Sequence, residues 1–226
     1  MDIVKDYRKF ALSKGVSSSN LDSQERFIQN RIGTPLIMEE RNLNVATYDI
    51  FSRLMYDRII FLSGEVSADS MDTIVAQMLY LDSIDNRDIN LYINSPGGEC
   101  YSGMECVSVM DFIKSDVSTT VLGMAASMGT VIASSGVKGK RYLLPYSRYM
   151  IHQPSSYNGY KRYTDSKIEL EEMESTRNDL YEILARNSGN DFDKMVELCE
   201  HGDKWLKPQE TIELGFADTI IETQHK

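Results

Sequence analysis

The chain has 226 residues, 42% hydrophobic and 26% charged, the composition of a soluble globular protein with one sizeable core. A formal net charge of −10 argues against nucleic acid or an anionic membrane as the main partner. No apolar run approaches the ~20 residues of a membrane span, and MDIVKDYRKFALSKG has neither the apolar stretch of a secretory signal nor the acid-free character of a transit peptide.

Residues 1–45 are polar, with the Ser/Asn cluster VSSSNLDS and a short helical pattern at Gln24–Gln29. They are expected to form a leader, pro-segment or mobile arm ahead of one domain over 46–226. In that domain IFSRLMYDR reads as a helix and RIIFLSG as a buried strand ended by Gly64. SADSMDTIVAQMLYLDSID has Ser/Asp start signals and apolar residues at Met71, Ile74, Met78 and Leu81, an amphipathic helix. INLYINSPGG is a strand ending in a Pro-Gly-Gly turn, ECYSGMECVSVMDFIKS a helix, and VSTTVLGM the next strand. After GMAASMGTVIASSG come GKRYLLP, the strand RYMIHQP, and a long helix over TDSKIELEEMESTRNDLYEILARNSG that stops at Ser188-Gly189. A short helix, PQETIELG, and a last strand, ADTIIET, complete the pattern. Strands alternate with helices, so an α/β domain of βαβ units with right-handed crossovers is expected.

Ligands in such folds gather beyond the carboxyl ends of the strands, and two of those ends are chemically unusual. In NSPGGECYSGM, Pro96 fixes one dihedral while Gly97 and Gly98 open angles closed to other residues, so amides can face outward. In AASMG, small residues surround Ser127, which the pattern puts in the first turn of the next helix, where unpaired N–H groups favour negative charge. A serine beside outward-facing amides is what acyl transfer needs, although such serines are most often simple caps and the G-x-S-x-G elbow is absent. Only three histidines could serve as base: His152 at the end of RYMIH, His201 in Cys-Glu-His-Gly-Asp, and His225 in the polar tail. His152, at another strand end, is the best placed. Cys100, Cys106 and Cys199 are odd in number and lack zinc-site spacing, so reduced thiols in the cytoplasm are expected.

NSPGG, GMAASMG, GKRYLLPYSRYMIHQP and the distal Glu-Leu-Gly-Phe-Ala-Asp, taken together in this order, resemble the ClpP family, the proteolytic subunit of the caseinolytic protease. The likeness spans Tyr48 to Ile221. It implies a ClpP/crotonase-type α/β fold with a protruding helix–strand handle near 153–187, and a serine endopeptidase. Ser127 matches the nucleophile and His152 the base, at the family's spacing of 25 residues. Gly98 and Met128 match the amide donors of the oxyanion hole. The family's Asp-Arg-Asp-x-(Phe/Trp) corresponds to His201-Gly202-Asp203-Lys204-Trp205, which implies Asp203 as the acid, with Glu200 as fallback.

The resemblance further implies heptameric rings, stacked in pairs or mixed with a paralogous subunit, that enclose the sites and receive unfolded polypeptide from a hexameric AAA+ unfoldase of the ClpX, ClpA or ClpC type. Tyr92, Phe112 and Tyr142 match the unfoldase-docking positions, whereas Asn90 stands where the family often has an aromatic. SSYNGYKRYTD replaces a glycine-rich stretch of the handle, and Gly202 replaces an arginine of inter-ring pairing, a non-conservative loss of a guanidinium. No metal or cofactor is expected, and with no G-x-x-x-x-G-K-[ST] loop, ATP would be consumed by the partner. A crotonase-type acyl-CoA enzyme and a weakly active or structural subunit of a mixed ring are the alternatives.

Overall fold

The computed structural model describes residues 36–41, 44–155 and 162–222. Most of the expected arm, the stretch 156–161 of the handle and His225 lie outside the described residues. Chain contacts divide the molecule into two units, residues 1–54 and 55–226.

In the first unit, β1 (Leu36–Arg41) and β2 (Asn44–Asp49) form an antiparallel pair in continuous register from Leu36↔Asp49 to Arg41↔Asn44. The expected boundary at 45/46 falls inside this pair. Asp49 then starts the helix α1 (Ile50–Tyr56), its carboxylate accepting from the amides of Phe51 and Ser52 at 3.0 and 3.1 Å.

The second unit is a mixed seven-stranded sheet with helices between its strands. Its strands are β3 (Ile59–Val66), β4 (Ile89–Gly98), β5 (Val117–Ala126), β6 (Arg141–Leu143), β7 (Arg148–Ile151), β8 (Lys204–Leu206) and β9 (Thr219–Ile220). The main path runs β3-β4-β5-β6-β9, all parallel. β5 forks: Thr119–Val121 pair with β6, while Met124–Ala126 pair with β7, which in turn carries β8 antiparallel on its other edge. The fork splays two strand ends apart beside Ser127, opening the crevice that α/β folds use for ligands.

The helices are α2 (Ala68–Ile84), α3 (Cys100–Phe112), α4 (Met128–Ser134), α5 (Tyr163–Ser188), α6 (Phe192–Cys199) and α7 (Pro208–Glu213). α2 begins at Ser67 in a capping box with Ser70 and buries Met71, Ile74, Met78 and Leu81, the stripe read from the 3.6-residue period. β3 and β4 bury alternate residues, among them Ile60, Leu62, Leu91 and Ile93. Each such aliphatic side chain contributes about 1.5–3 kcal/mol when fully removed from water. α5 ends where Gly189 turns left-handed, φ 78°. None of its residues from Tyr163 to Ser175 is buried, and Glu172 in this half accepts a hydrogen bond from the Tyr101 hydroxyl of α3.

Several local expectations are corrected. β3 does not end at Gly64: that glycine, φ 95°, sits at a bulge between Ser63 and Glu65, and pairing continues to Val66. The Pro-Gly-Gly segment is no turn but the end of β4, with Gly97 opposite Glu65 and Gly98 opposite Val66. α6 and β8 interrupt what reads as loop, because one is two turns long and the other three residues, too short for either period to register.

Candidate active site

Ser127 does not lie in the first turn of α4; it is the residue before it, at φ 54° and ψ −123°. A left-handed φ on a residue with a side chain costs about 1–3 kcal/mol and persists only where the surroundings enforce it. The enforcement is visible. The Ser127 amide donates to Met150 O at 2.8 Å, and Thr130 Oγ1 bonds both Ala125 O (2.7 Å) and Met150 O (2.8 Å), clamping the bend across the fork of β5 and β7. On the other side Gly97 packs so closely that a Cβ there would lie 2.6 Å from Ala126 O and 2.7 Å from Ser127 Cβ. The small residues around Ser127 are thus the condition for a sharp strand-to-helix elbow, reached here without the G-x-S-x-G pattern.

The bend decides what the hydroxyl does. Ser127 makes no side-chain cap bond to α4; its Oγ lies 2.8 Å from His152 Nε2. His152 Nδ1 lies 3.0 Å from Asp203 Oδ1. An ionised carboxylate can only accept, so Nδ1 carries the proton and Nε2 is left to accept from the serine hydroxyl. The His152 side chain is 24% exposed and that of Asp203 60%.

Asp203 reaches His152 through strand register. β7 and β8 pair Tyr149↔Leu206, Met150↔Trp205 and Ile151↔Lys204, and the next residues outward are His152 and Asp203. Glu200, the fallback acid, is not at the imidazole; its Oε1 meets Arg177 Nη1 at 3.2 Å. Nor does Asp203 cap a turn before WLKP, since Lys204–Leu206 are strand. His201 lies two residues before Asp203 and outside this chain of hydrogen bonds.

Of the two expected amide donors, Met128 follows Ser127 directly and Gly98 follows Gly97, which packs against the serine. Met128 opens α4, where the first amides have no partner within the helix. The amide of Glu99 donates to Val66 O on β3 at 2.9 Å, so the preceding N–H, that of Gly98, faces the opposite way. Beside Ser127 and His152 lies a cleft walled by Met128, Val131, Ile151, Leu180, Tyr181 and Leu184, nearly all apolar. The half-buried Cys100, which sequence reasoning did not connect with the site, lines the same cleft. Only its position two residues after Gly98 signals this.

The docking candidates lie elsewhere, two on the sheet and one on a helix. Tyr92 and Tyr142 share one row, each opposite Thr120 of β5, and the Tyr92 ring stacks on Phe61 with centroids 5.5 Å apart. Phe112, the last residue of α3, is 78% exposed. Asn90 pairs with Ser118 in the same sheet.

The Clp protease family model matches residues 41–224. The chain belongs to the Clp protease family. The match begins slightly before and ends slightly beyond the span of the sequence resemblance. The chain is 51% identical over 189 residues to the ATP-dependent Clp protease proteolytic subunit of Streptococcus salivarius, covering 83% of this chain and 96% of that one. It is 48% identical over 193 residues to the protein of that name from Streptococcus agalactiae serotype V (84% and 98%), and 49% over 189 residues to one from Streptococcus thermophilus (83% and 96%). A protease family, not the acyl-CoA enzymes that share its type of fold, is therefore this chain's own. Among the described residues, no group of three metal-ligating side chains occurs and no helix is long and apolar enough to cross a membrane.

Proposed function

We propose that the chain is the serine endopeptidase subunit of an ATP-dependent protease. The single observation that carries this is the continuous hydrogen-bonded path from Ser127 through His152 to Asp203, at 2.8 and 3.0 Å. In this reading Ser127 Oγ attacks the scissile carbonyl while His152 Nε2 takes its proton. Asp203 holds the Nδ1–H tautomer and stabilises the imidazolium. The amides of Met128 and Gly98 receive the charge that develops on the carbonyl oxygen, in an elbow rigid enough to need no rearrangement at that moment. His152 then returns the proton to the leaving amine, and a water repeats the sequence to free the acyl group. The walls of the cleft support an aliphatic side chain on the acyl side of the cut bond.

The relatives' printed name supports cooperation with an ATP-consuming partner. For this chain that partner is an AAA+ unfoldase docking on an aromatic surface that includes Tyr92, Phe112 and Tyr142. The substrates are unfolded polypeptides, and the sites are enclosed by heptameric rings in a cytoplasm-like compartment. Gly202 in place of an arginine supports altered ring-to-ring coupling; native mass of the particle tests this, and a homo-tetradecamer of ordinary stability would count against it. The decisive experiment is Ser127→Ala. It is expected to abolish both cleavage of short fluorogenic peptides and labelling by a serine-reactive phosphonate; undiminished labelling overturns the assignment.

A further inference from the structure

One ion pair outside the reacting groups is placed to govern them. Arg177 lies on α5 just after Thr176, the first buried position of that helix. Its Nη1 stands 3.2 Å from Oε1 of Glu200, with both side chains 31% exposed. The same guanidinium donates from Nε and Nη2 to Asn178 Oδ1 at 3.3 and 3.0 Å, and its carbon lies 5.8 Å from the centre of the Tyr181 ring. Glu174, on the same helix, comes no nearer than 4.0 Å. Arg177 is therefore oriented from its own helix, and Glu200 is the carboxylate it reaches on another element.

Glu200 closes α6, and only His201 and Gly202 separate it from Asp203. Gly202 adopts φ 100°, a flexible joint next to a carboxylate that is 60% exposed. Beyond Asp203 the chain is held by the β7–β8 ladder. Before it, the holds are the Glu200 amide, which donates to Val196 O at 3.1 Å, Cys199 O, which accepts from the Gln153 amide at 3.1 Å, and the Glu200 ion pair, the only one of these that reaches α5. A short turn pinned at both ends keeps its exposed side chain in one place, and small misplacements of a catalytic group carry large kinetic penalties.

We propose that the Arg177–Glu200 pair is a positioning device for the catalytic acid: it ties the turn bearing Asp203 to α5 and so keeps that carboxylate within reach of His152. This rests on the serine-peptidase reading above. Leu180 and Tyr181, on the next turn of α5, line the substrate cleft. One stretch of helix therefore borders both the acid's turn and the cleft beside Ser127, so a shift of α5 moves both. Glu200 acts on the chemistry through Asp203 rather than in its place.

The test compares Glu200→Gln, Arg177→Gln and the charge-reversed double variant Arg177→Glu/Glu200→Arg in the full-length assembled particle. The readouts are kcat and KM for a short fluorogenic peptide, the rate of phosphonate labelling, melting temperature and native mass. Each single variant is expected to lower kcat about three- to tenfold with KM changed less than about twofold, and the reversed pair to recover most of the loss. Glu200→Gln is the cleaner variant, because Arg177 also touches Tyr181. An unchanged kcat in Glu200→Gln, a change confined to KM, or a reversed pair no better than the singles overturns the proposal. Should the reversed pair fail to assemble, Glu200→Asp replaces it, and activity no higher than that of Glu200→Gln overturns it equally. A wild-type particle that neither cleaves peptide nor takes the label defeats the peptidase reading itself. A wild type silenced by Ser127→Ala yet matched by Glu200→Gln defeats the pair alone.

Discussion

His152 and Asp203 face each other one step beyond the last rung of the β7–β8 ladder, Ile151 with Lys204, and their side chains meet at 3.0 Å. Because the ladder delivers the carboxylate, Asp203→Asn should leave the backbone in place and remove only the preference for the Nδ1–H tautomer. Peptide turnover is expected to fall by about a thousandfold or more, with KM nearly unchanged. Steady-state kinetics decide it, and a loss comparable to that of Glu200→Gln would remove Asp203 from the triad.

Removing the nucleophile should be more severe. Ser127→Ala is expected to lower kcat by at least about 10⁴-fold. It keeps the strained φ of 54° without the hydroxyl's bond to His152, so the fold should persist, visible as an unchanged native mass.

Gly97→Ala places a methyl group 2.6 Å from Ala126 O and 2.7 Å from Ser127 Cβ, at a φ of 93°. Both effects strain the elbow, so a stability loss of about 1–3 kcal/mol is expected together with strongly reduced turnover. Thermal melting and peptide cleavage measured on one preparation would expose the error if activity survived intact.

The pair Arg141–Asp218 controls stability rather than chemistry. Arg141 Nη2 lies 2.6 Å from Asp218 Oδ1, with the arginine side chain only 2% exposed. Burial pushes the Asp218 carboxyl up. The Arg141 guanidinium and the amides of Arg141 and Gly139 outweigh it, leaving the carboxyl below its ordinary value. A lowered carboxylate contributes stability that is present above the unfolded value, about 4, and lost as pH falls through the folded one. Melting temperature should hold from neutral pH to about 5 and drop below about 4. Asp218→Ala, which strands the buried guanidinium, should cost about 3–5 kcal/mol at pH 7. A variant as stable as wild type at pH 7 would contradict this.

Thiol chemistry should single out Cys100. Burial pushes Cys106 up to about 12 and Cys199 up to about 11, and both side chains are buried; burial raises the Cys100 thiol too, but Cys100 is only half-buried and lines the cleft. Iodoacetamide on the native protein should modify Cys100 first and obstruct the cleft, with Cys100→Ser resistant to inactivation. Peptide mapping beside residual activity checks both halves.

How much of this could be read from the sequence depends on the range of the cause. Local causes were legible: the apolar stripe of α2, the Gly189 stop of α5, and the strand ends carrying Ser127 and His152. The elbow at Ser127 was not, since its left-handed φ is enforced by Met150 and Gly97, both distant in the chain. Asp203 was legible only by resemblance, through the family's aromatic at Trp205, with Glu200 as fallback. The geometric difference between them is a matter of β7–β8 register, which exists only after the strands have paired. Pro96-Gly97-Gly98 reads as a turn for the same reason: its extended course is set by its partner Glu65–Val66.

The serine's neighbours Ala126 and Met128 are buried in packed core, while past Asp203 the chain is held by only three rungs of the β7–β8 ladder. Local opening of that short ladder requires far less free energy than global unfolding. Fraying of that edge would part Asp203 from His152 while Ser127 keeps its place. Amide exchange at Lys204–Leu206 faster than at Val117–Val121 would be the signature of such opening.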